Sequence, residues 1–213
     1  LMAAFIDLHV HSQFSGDSPV EPEKYLERLA LLRKEFRLDG LAFCEHRKFA
    51  GGLDCAALGQ KYDALVFIGV EAETLWGHLL VFCPDTAWMN SMDFSRKLDP
   101  VELAEAVAGR SGIVVPAHPF RGLFSIGDKV QRLPGIAAVE SINGANTEEE
   151  NERARSFARL HRLAELGGSD AHFLDELGRT LTAFQAEVKS LEQMIAEIKA
   201  GRVRPLYLRD ARI

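Results

Sequence analysis

Cysteine is scarce in this sequence and unpaired. The three present, Cys44, Cys55 and Cys83, are odd in number and form no CxxC pair. That excludes a disulfide framework and a four-cysteine structural zinc site. Cys44 and Cys83 lie in apolar runs and read as core residues, so a reducing, cytoplasmic setting is expected. Aromatic residues make up only 8% of the chain and are not interleaved with basic ones. With a formal net charge of −6, this argues against a surface for duplex or long single-stranded nucleic acid. No apolar stretch approaches the roughly 20 residues needed to span a membrane, so no membrane partner is expected. No signal peptide is visible, and Met2, after Leu1, is a candidate start. There is no internal repeat, low-complexity tract or linker. No Ser or Cys sits in a nucleophile-elbow pattern, which disfavours a covalent intermediate.

What remains is a chain of 213 residues, 47% hydrophobic and 26% charged, suited to one globular domain over residues 1–213. Strand-length apolar runs occupy residues 5–10, 40–44, 65–70, 78–82, 113–116, 137–141, 166–168 and 181–184. Helical patterns lie between them. Residues 22–36 space Tyr25, Leu26, Leu29, Leu32 and Phe36 along one face behind Pro22. Residues 100–108 follow Asp99, a candidate N-cap. Residues 147–166 run from acidic to basic, which suits the helix dipole. Residues 191–200 end at Gly201. Alternating βα units predict a mostly parallel sheet in an α/β fold, most simply a distorted, TIM-like (β/α)7 barrel. An open doubly wound sheet is the alternative.

Six of the seven histidines fall in short clusters at the ends of these runs. The clusters read DLHVHSQFSGDS, FCEHRK, GVEAETLWGHLLVF, VPAHPF and GSDAHF. Asp7, His9 and His11 alternate on the first strand, which would put all three on one face. Asp170 and His172 repeat that spacing near the last strand, which a closed barrel brings beside the first. Glu71 ends a buried run and is placed to bridge two cations. His78 opens the next run, His118 sits between stiffening prolines, and His46 and Asp17 lie at or beyond strand ends. Each position alone has an ordinary reading: a turn acid, an N-cap or a solvent-facing histidine. His161, mid-helix among arginines, fits only that reading and is excluded. Together, imidazoles and carboxylates delivered from several strand ends to one rim suit a multinuclear site for Zn²⁺, Mn²⁺ or Fe²⁺.

The order HxH, acid–His, Glu, His-Pro and Asp-x-His resembles the polymerase and histidinol phosphatase (PHP) family, from Asp7 to His172. The resemblance implies a distorted (β/α)7 barrel with up to three divalent metal ions that hydrolyses phosphate esters. Carried over by position, it implies that His9, His11, Glu71 and Asp170 hold a first ion. Glu71 would bridge to a second, held also by His118 and His78. Asp17, His46 and His172 would hold a third. Where the family usually shows Thr-Asp-His, this chain has Cys44-Glu45-His46, and Glu45 is a candidate to orient a ligand from behind.

The reaction this implies is in-line attack of a metal-bridging hydroxide on phosphorus. Glu71 and His172 would act at the reacting centre, with Arg121 and Arg179 as candidate phosphate grips and Lys48 a weaker one. A small phosphomonoester is the expected substrate. The alternatives are a phosphodiesterase or exonuclease on nucleotide or oligonucleotide ends, a non-phosphate barrel amidohydrolase, and a catalytically silent, metal-stabilised regulatory module. Oligomeric state is not readable from the sequence.

Overall fold

The structure, a computed structural model, describes residues 2–213. It is an α/β fold with a strongly curled sheet. Among the described residues nine strands form: β1 Ala4–Val10, β2 Gly40–His46, β3 Leu65–Glu73, β4 His78–Phe82, β5 Ile113–Pro116, β6 Ala138–Asn143, β7 Ala164–Gly168, β8 Thr180–Phe184 and β9 Val203–Tyr207. Seven of them make one sheet in the order β5-β4-β3-β2-β1-β8-β9, while β6 and β7 pair separately. The helices are α1 Pro22–Leu32, α2 Cys55–Tyr62, α3 Thr86–Ser91, α4 Pro100–Ala108, α5 Glu148–His161 and α6 Leu191–Lys199.

The sheet is not mostly parallel, contrary to expectation. β1, β2 and β3 are parallel, and so are β6 and β7. However, β4 runs antiparallel to both β3 and β5, and β8 runs antiparallel to both β1 and β9. The cause at β3–β4 is the connection, which is only residues 74–77 and far too short for a parallel crossover. The ladder also divides at β1. Its first half pairs with β8, while Val10 bridges in parallel to Ala171 beyond β7.

Two helices are shorter than their sequence patterns. α1 stops at Leu32 because Phe36 is drawn into an antiparallel bridge with Arg212. α5 stops at His161, where Arg162 takes a left-handed conformation and its N–H reaches back to Ala158 and Arg159. The chain then joins β6 as β7. Gly168 makes this possible, since a Cβ there would lie 2.5 Å from His9 Cβ and 2.6 Å from Glu140 Oε1.

The side chains of β1 divide between two apolar clusters. Ile6 and Leu8 pack with Leu80, Phe82, Val115, Leu166 and α6. Phe5 and Val10 pack with α1, Leu41 and Phe43. A register shift between Asp7 and Val10 marks a bulge in β1. Such a bulge re-aims side chains. Asp7 therefore does not join His9 and His11. Its carboxylate accepts from the backbone N–H of Ser169 and of Gly178, both at 2.9 Å.

Candidate metal centre

Six loops and strand ends meet at one rim. β1 delivers His9 and leads into His11, β2 ends at His46, β3 carries Glu71, and the segments after β5 and β7 bring His118, Asp170 and His172. Because β4 runs antiparallel, its first residue, His78, lies at the same rim, opposite Glu73. Non-glycine residues in left-handed backbone are concentrated here, at Arg47, His118, Phe124 and Asp170. Such strain persists where surrounding structure enforces it and clusters at functional sites.

At the centre stands Glu71, 1% exposed. Its Oε2 lies 3.1 Å from His9 Nε2, 3.2 Å from His11 Nε2 and 3.4 Å from His46 Nδ1. Its Oε1 lies 2.8 Å from His118 Nε2 and 2.9 Å from His78 Nδ1. Asp170 Oδ1 closes the first group, 3.5 Å from His9 Nε2 and 3.2 Å from His11 Nε2. Across the cavity, Asp17 Oδ2 lies 3.5 Å from His46 Nε2 and 3.4 Å from His172 Nε2. Among the described residues three sets of donor atoms gather closely enough to share an ion: His9, His11, Glu71 and Asp170; His46, Glu71 and His78; and His11, Asp17, His46 and His172. His118 touches Glu71 but lies outside the second set, where His46 takes its place.

The donors suit a divalent cation. His9 Nε2, His11 Nε2, His46 Nδ1 and Glu71 Oε2 are buried without a hydrogen-bond partner. Buried polar atoms are normally satisfied, and these four face one another. The neighbourhood also buries Asp7, Glu45, Glu71, Glu140 and Asp170, while no Lys or Arg is buried among the described residues. Of these carboxylates only Asp170 has a guanidinium partner, Arg121, and a cation offsets the cost of burying the rest.

Groups behind the candidate ligands hold their tautomers. His9 Nδ1 lies 2.8 Å from Glu140 Oε1, so it carries the proton and leaves Nε2 free. His172 Nδ1 donates to the carbonyl of Asp170 at 2.9 Å. His11 is held through Ser15. The Ser15 hydroxyl donates to Glu45 Oε2 at 2.7 Å, so its oxygen can only accept from His11 Nδ1 at 3.0 Å and from the His46 N–H at 2.9 Å. Glu45 also takes the Ser12 N–H and hydroxyl.

Protons compete for the same lone pairs. Burial alone would lower the His9 pKa, but Glu140, Asp170 and Glu71 raise it well above the usual range. Burial opposes His11 likewise, yet hydrogen bonds to Asp170 and Glu71 lift it to about 9. Glu71 and Asp170 would rise through burial, but His9 and His11 hold both well below ordinary carboxylates. Burial takes His46 down to about 4 against the pull of Glu71.

Except for His9 and His11, which are fully buried, the donors line a cavity of about 570 Å³ together with Arg47, Arg121 and Phe124. Arg121 is fixed there by three contacts of 2.7 Å, from Nε to Asn146 and from Nη2 to Asn143 and Asp170. Arg179 is not on this wall. It pairs with Asp175 and Glu176 and lines a separate groove with Tyr207 and Arg209. Lys48 lies 5.4 Å above the Phe14 ring, also off the cavity wall. His161 packs on Phe157, remote from the site.

Sequence reasoning missed Glu140, Asn143 and Ser15. Glu140 was detectable as an acid inside the apolar run 137–141. Ser15 and Asn143 carry no comparable signal.

Residues 148–203 match the family model described as PHP-associated. The chain carries a PHP-associated region. The resemblance read from its histidine clusters is thereby borne out. An uncharacterized protein of Methanocaldococcus jannaschii is 26% identical over 148 residues, which is 64% of this chain and 80% of that protein. Among solved structures, PsfC from Pseudomonas syringae superposes with a TM-score of 0.74 at 20% identity, covering 98% of this chain and 93% of its own. A protein described as a metal-dependent phosphoesterase from Bifidobacterium adolescentis gives 0.69 at 18%, covering 92% and 96%. Endonuclease Q, solved with a duplex carrying an abasic lesion, gives 0.69 at 18%, covering 94% of this chain but 58% of the endonuclease. At these identities the structural likeness is one of fold.

Proposed function

We propose that this PHP-type chain is a metal-dependent phosphoesterase acting on small phosphomonoesters, built as one distorted barrel domain over residues 1–213. The observation that carries the reading is the convergence of the unpartnered Nε2 atoms of His9 and His11 on Glu71 Oε2, with Glu71 and Arg121 on the wall of one cavity. His9, His11, Glu71 and Asp170 would hold one divalent ion. Glu71 would extend to a second with His78 and His118, and His46 lies within reach of it. Asp17, His46 and His172 would hold a third. Zn, Mn and Fe all suit these nitrogen and oxygen donors. When bound, such ions make water nucleophilic near neutral pH and offset charge on phosphoryl oxygens.

The protein's part is positioning. Glu140, the Asp170 carbonyl and the Glu45–Ser15 pair fix the ligand imidazoles. Arg121 presents a guanidinium whose Nη1 has no partner among the described residues, available to a phosphate oxygen. No helix of the described residues is long and apolar enough to cross a membrane. The free cysteines favour a cytoplasmic setting.

The likeness to endonuclease Q favours one second reading, phosphodiester cleavage in nucleic acid. Untagged protein with Mn²⁺ or Zn²⁺ should be assayed on phosphomonoesters, on a bis-aryl phosphodiester and on a short oligonucleotide. Monoester turnover abolished by chelator is the expected result. Diester-selective turnover would replace the reading with a nuclease. Silence on every substrate, with metal bound, would leave a regulatory module.

A further inference from the structure

Metal binding explains most of the cavity wall, but it does not explain Phe124. Its φ of +63° lies in the left-handed region, which a bulky aromatic residue rarely adopts. Its side chain is 65% exposed, so burial does little to offset that strain. The backbone around it is nevertheless clamped. Its carbonyl accepts from the His78 N–H at 2.9 Å, and Gly127 N donates to Pro119 O at 2.8 Å. The Ser125 hydroxyl donates to the Arg121 carbonyl. Gly77 tightens the clamp, since a Cβ there would lie 2.5 Å from Ile126 N and 2.6 Å from Ser125 C. The Phe124 ring is stacked on the His78 imidazole, with centroids 5.3 Å apart and planes 20° apart, and it lines the cavity. A rigidly mounted aromatic ring thus has one face against a metal-site histidine and remains largely open to solvent.

We propose that Phe124 is a stacking platform for the leaving group, and that the preferred phosphomonoesters carry a flat aromatic or heteroaromatic ring. This rests on the phosphoesterase reading above and narrows its substrate class. Aromatic faces prefer offset stacking at this range of separations, and a flat ring gains from it where a puckered one does not. Phe124 is here a specificity-determining residue. Its phosphate end of the site remains the histidine, carboxylate and Arg121 set.

The test compares benzyl phosphate with cyclohexylmethyl phosphate. Both are esters of primary alcohols with the same carbon skeleton, and they differ in the flatness of the ring. Metal-loaded wild-type protein should favour benzyl phosphate in kcat/KM by about ten-fold, within the range of aromatic stacking on a protein side chain. Phe124→Leu keeps an apolar cover over His78 and should bring that ratio close to one. A ratio near one in the wild type, or a Phe124→Leu variant that slows both esters equally, would overturn the platform. Bound metal and a melting curve for Phe124→Leu check that the site is intact. Titration calorimetry with benzylphosphonate and cyclohexylmethylphosphonate, which are not hydrolysed, separates the two readings. If no ester turns over, the phosphoesterase reading falls, while tighter binding of benzylphosphonate that depends on Phe124 still supports the platform. Equal binding of the two phosphonates overturns it.

Discussion

At the scale of the residue, the chemistry rests on lone pairs turned inward and protons turned outward. Glu140 and Ser15 each hold a proton-bearing Nδ1, so His9 and His11 present Nε2 to Glu71. Removing a ligand should matter more than removing its support. His9→Ala should abolish phosphoester turnover and lower bound metal, as read by mass spectrometry of metal content, while circular dichroism keeps its native form. Wild-type turnover in His9→Ala would exclude it from the site. Glu45→Gln and Ser15→Ala remove no candidate ligand but loosen the hold on His11 and on the His46 and Ser12 backbone, and should weaken metal affinity by about ten- to a hundred-fold. Unchanged affinity in a competition titration would make this pair a loop clasp only. The candidate ligands were legible in the sequence because their histidines stand at the ends of apolar runs. Their supports were not, because Ser15 and Asn143 resemble any loop residue until the fold closes around them. Asp7 was misread for a physical reason: the β1 bulge breaks the two-residue period that would have aligned it with His9.

At the scale of the element, the rim depends on how closely strands approach. Gly168 lets β7 lie against His9 and Glu140. Gly168→Ala should destabilise the protein by about 1–3 kcal/mol through overpacking and also reduce bound metal, because the displaced groups are His9 and its partner. A full metal complement with native stability would show that β7 can shift freely. Thr147 gives the contrast. Its hydroxyl caps α5 in a capping box with Glu150 and makes no contact with the donor residues. Thr147→Ala should cost about 1 kcal/mol in denaturant unfolding and leave metal content untouched; a loss of metal would tie α5 to the site. Strand positions were readable from apolar runs, the N-cap of α4 from Asp99, and α5 from its run from acidic to basic residues. β9 escaped because Pro205 suppresses a strand reading, yet proline is tolerated there since β9 is an edge strand. Strand direction escaped too, because an apolar run has the same pattern either way, and only the short 74–77 link reveals that β4 turns back.

At the scale of the molecule, the proposed site would couple metal, protons and stability. In chelator-treated protein, His11 has a folded pKa of about 9 against an ordinary value of 6.5. Its contribution is therefore complete below pH 6.5 and is lost as pH rises toward 9. The depressed carboxylates Glu71 and Asp170 act oppositely, contributing above their ordinary pKa values and losing that contribution as pH falls through their lowered ones. Asp7, which burial raises to about 6, loses its share as pH climbs through that value. Chelator-treated protein should thus melt at a lower temperature at pH 9 than at pH 6.5. Metal-loaded protein, whose imidazoles are neutral ligands, should be higher at both and change less between them. Equal melting temperatures with and without metal would deny that coupling. The most direct measurement is metal stoichiometry after stripping with chelator and reconstitution with Mn²⁺ or Zn²⁺, made on wild type and on Glu71→Gln. The structure predicts two to three ions per chain in the wild type, in keeping with its three donor sets, and a marked loss in Glu71→Gln, whose native carboxylate belongs to two of them. A wild-type chain that retains no ion, or a Glu71→Gln variant that binds as many as the wild type, would contradict it.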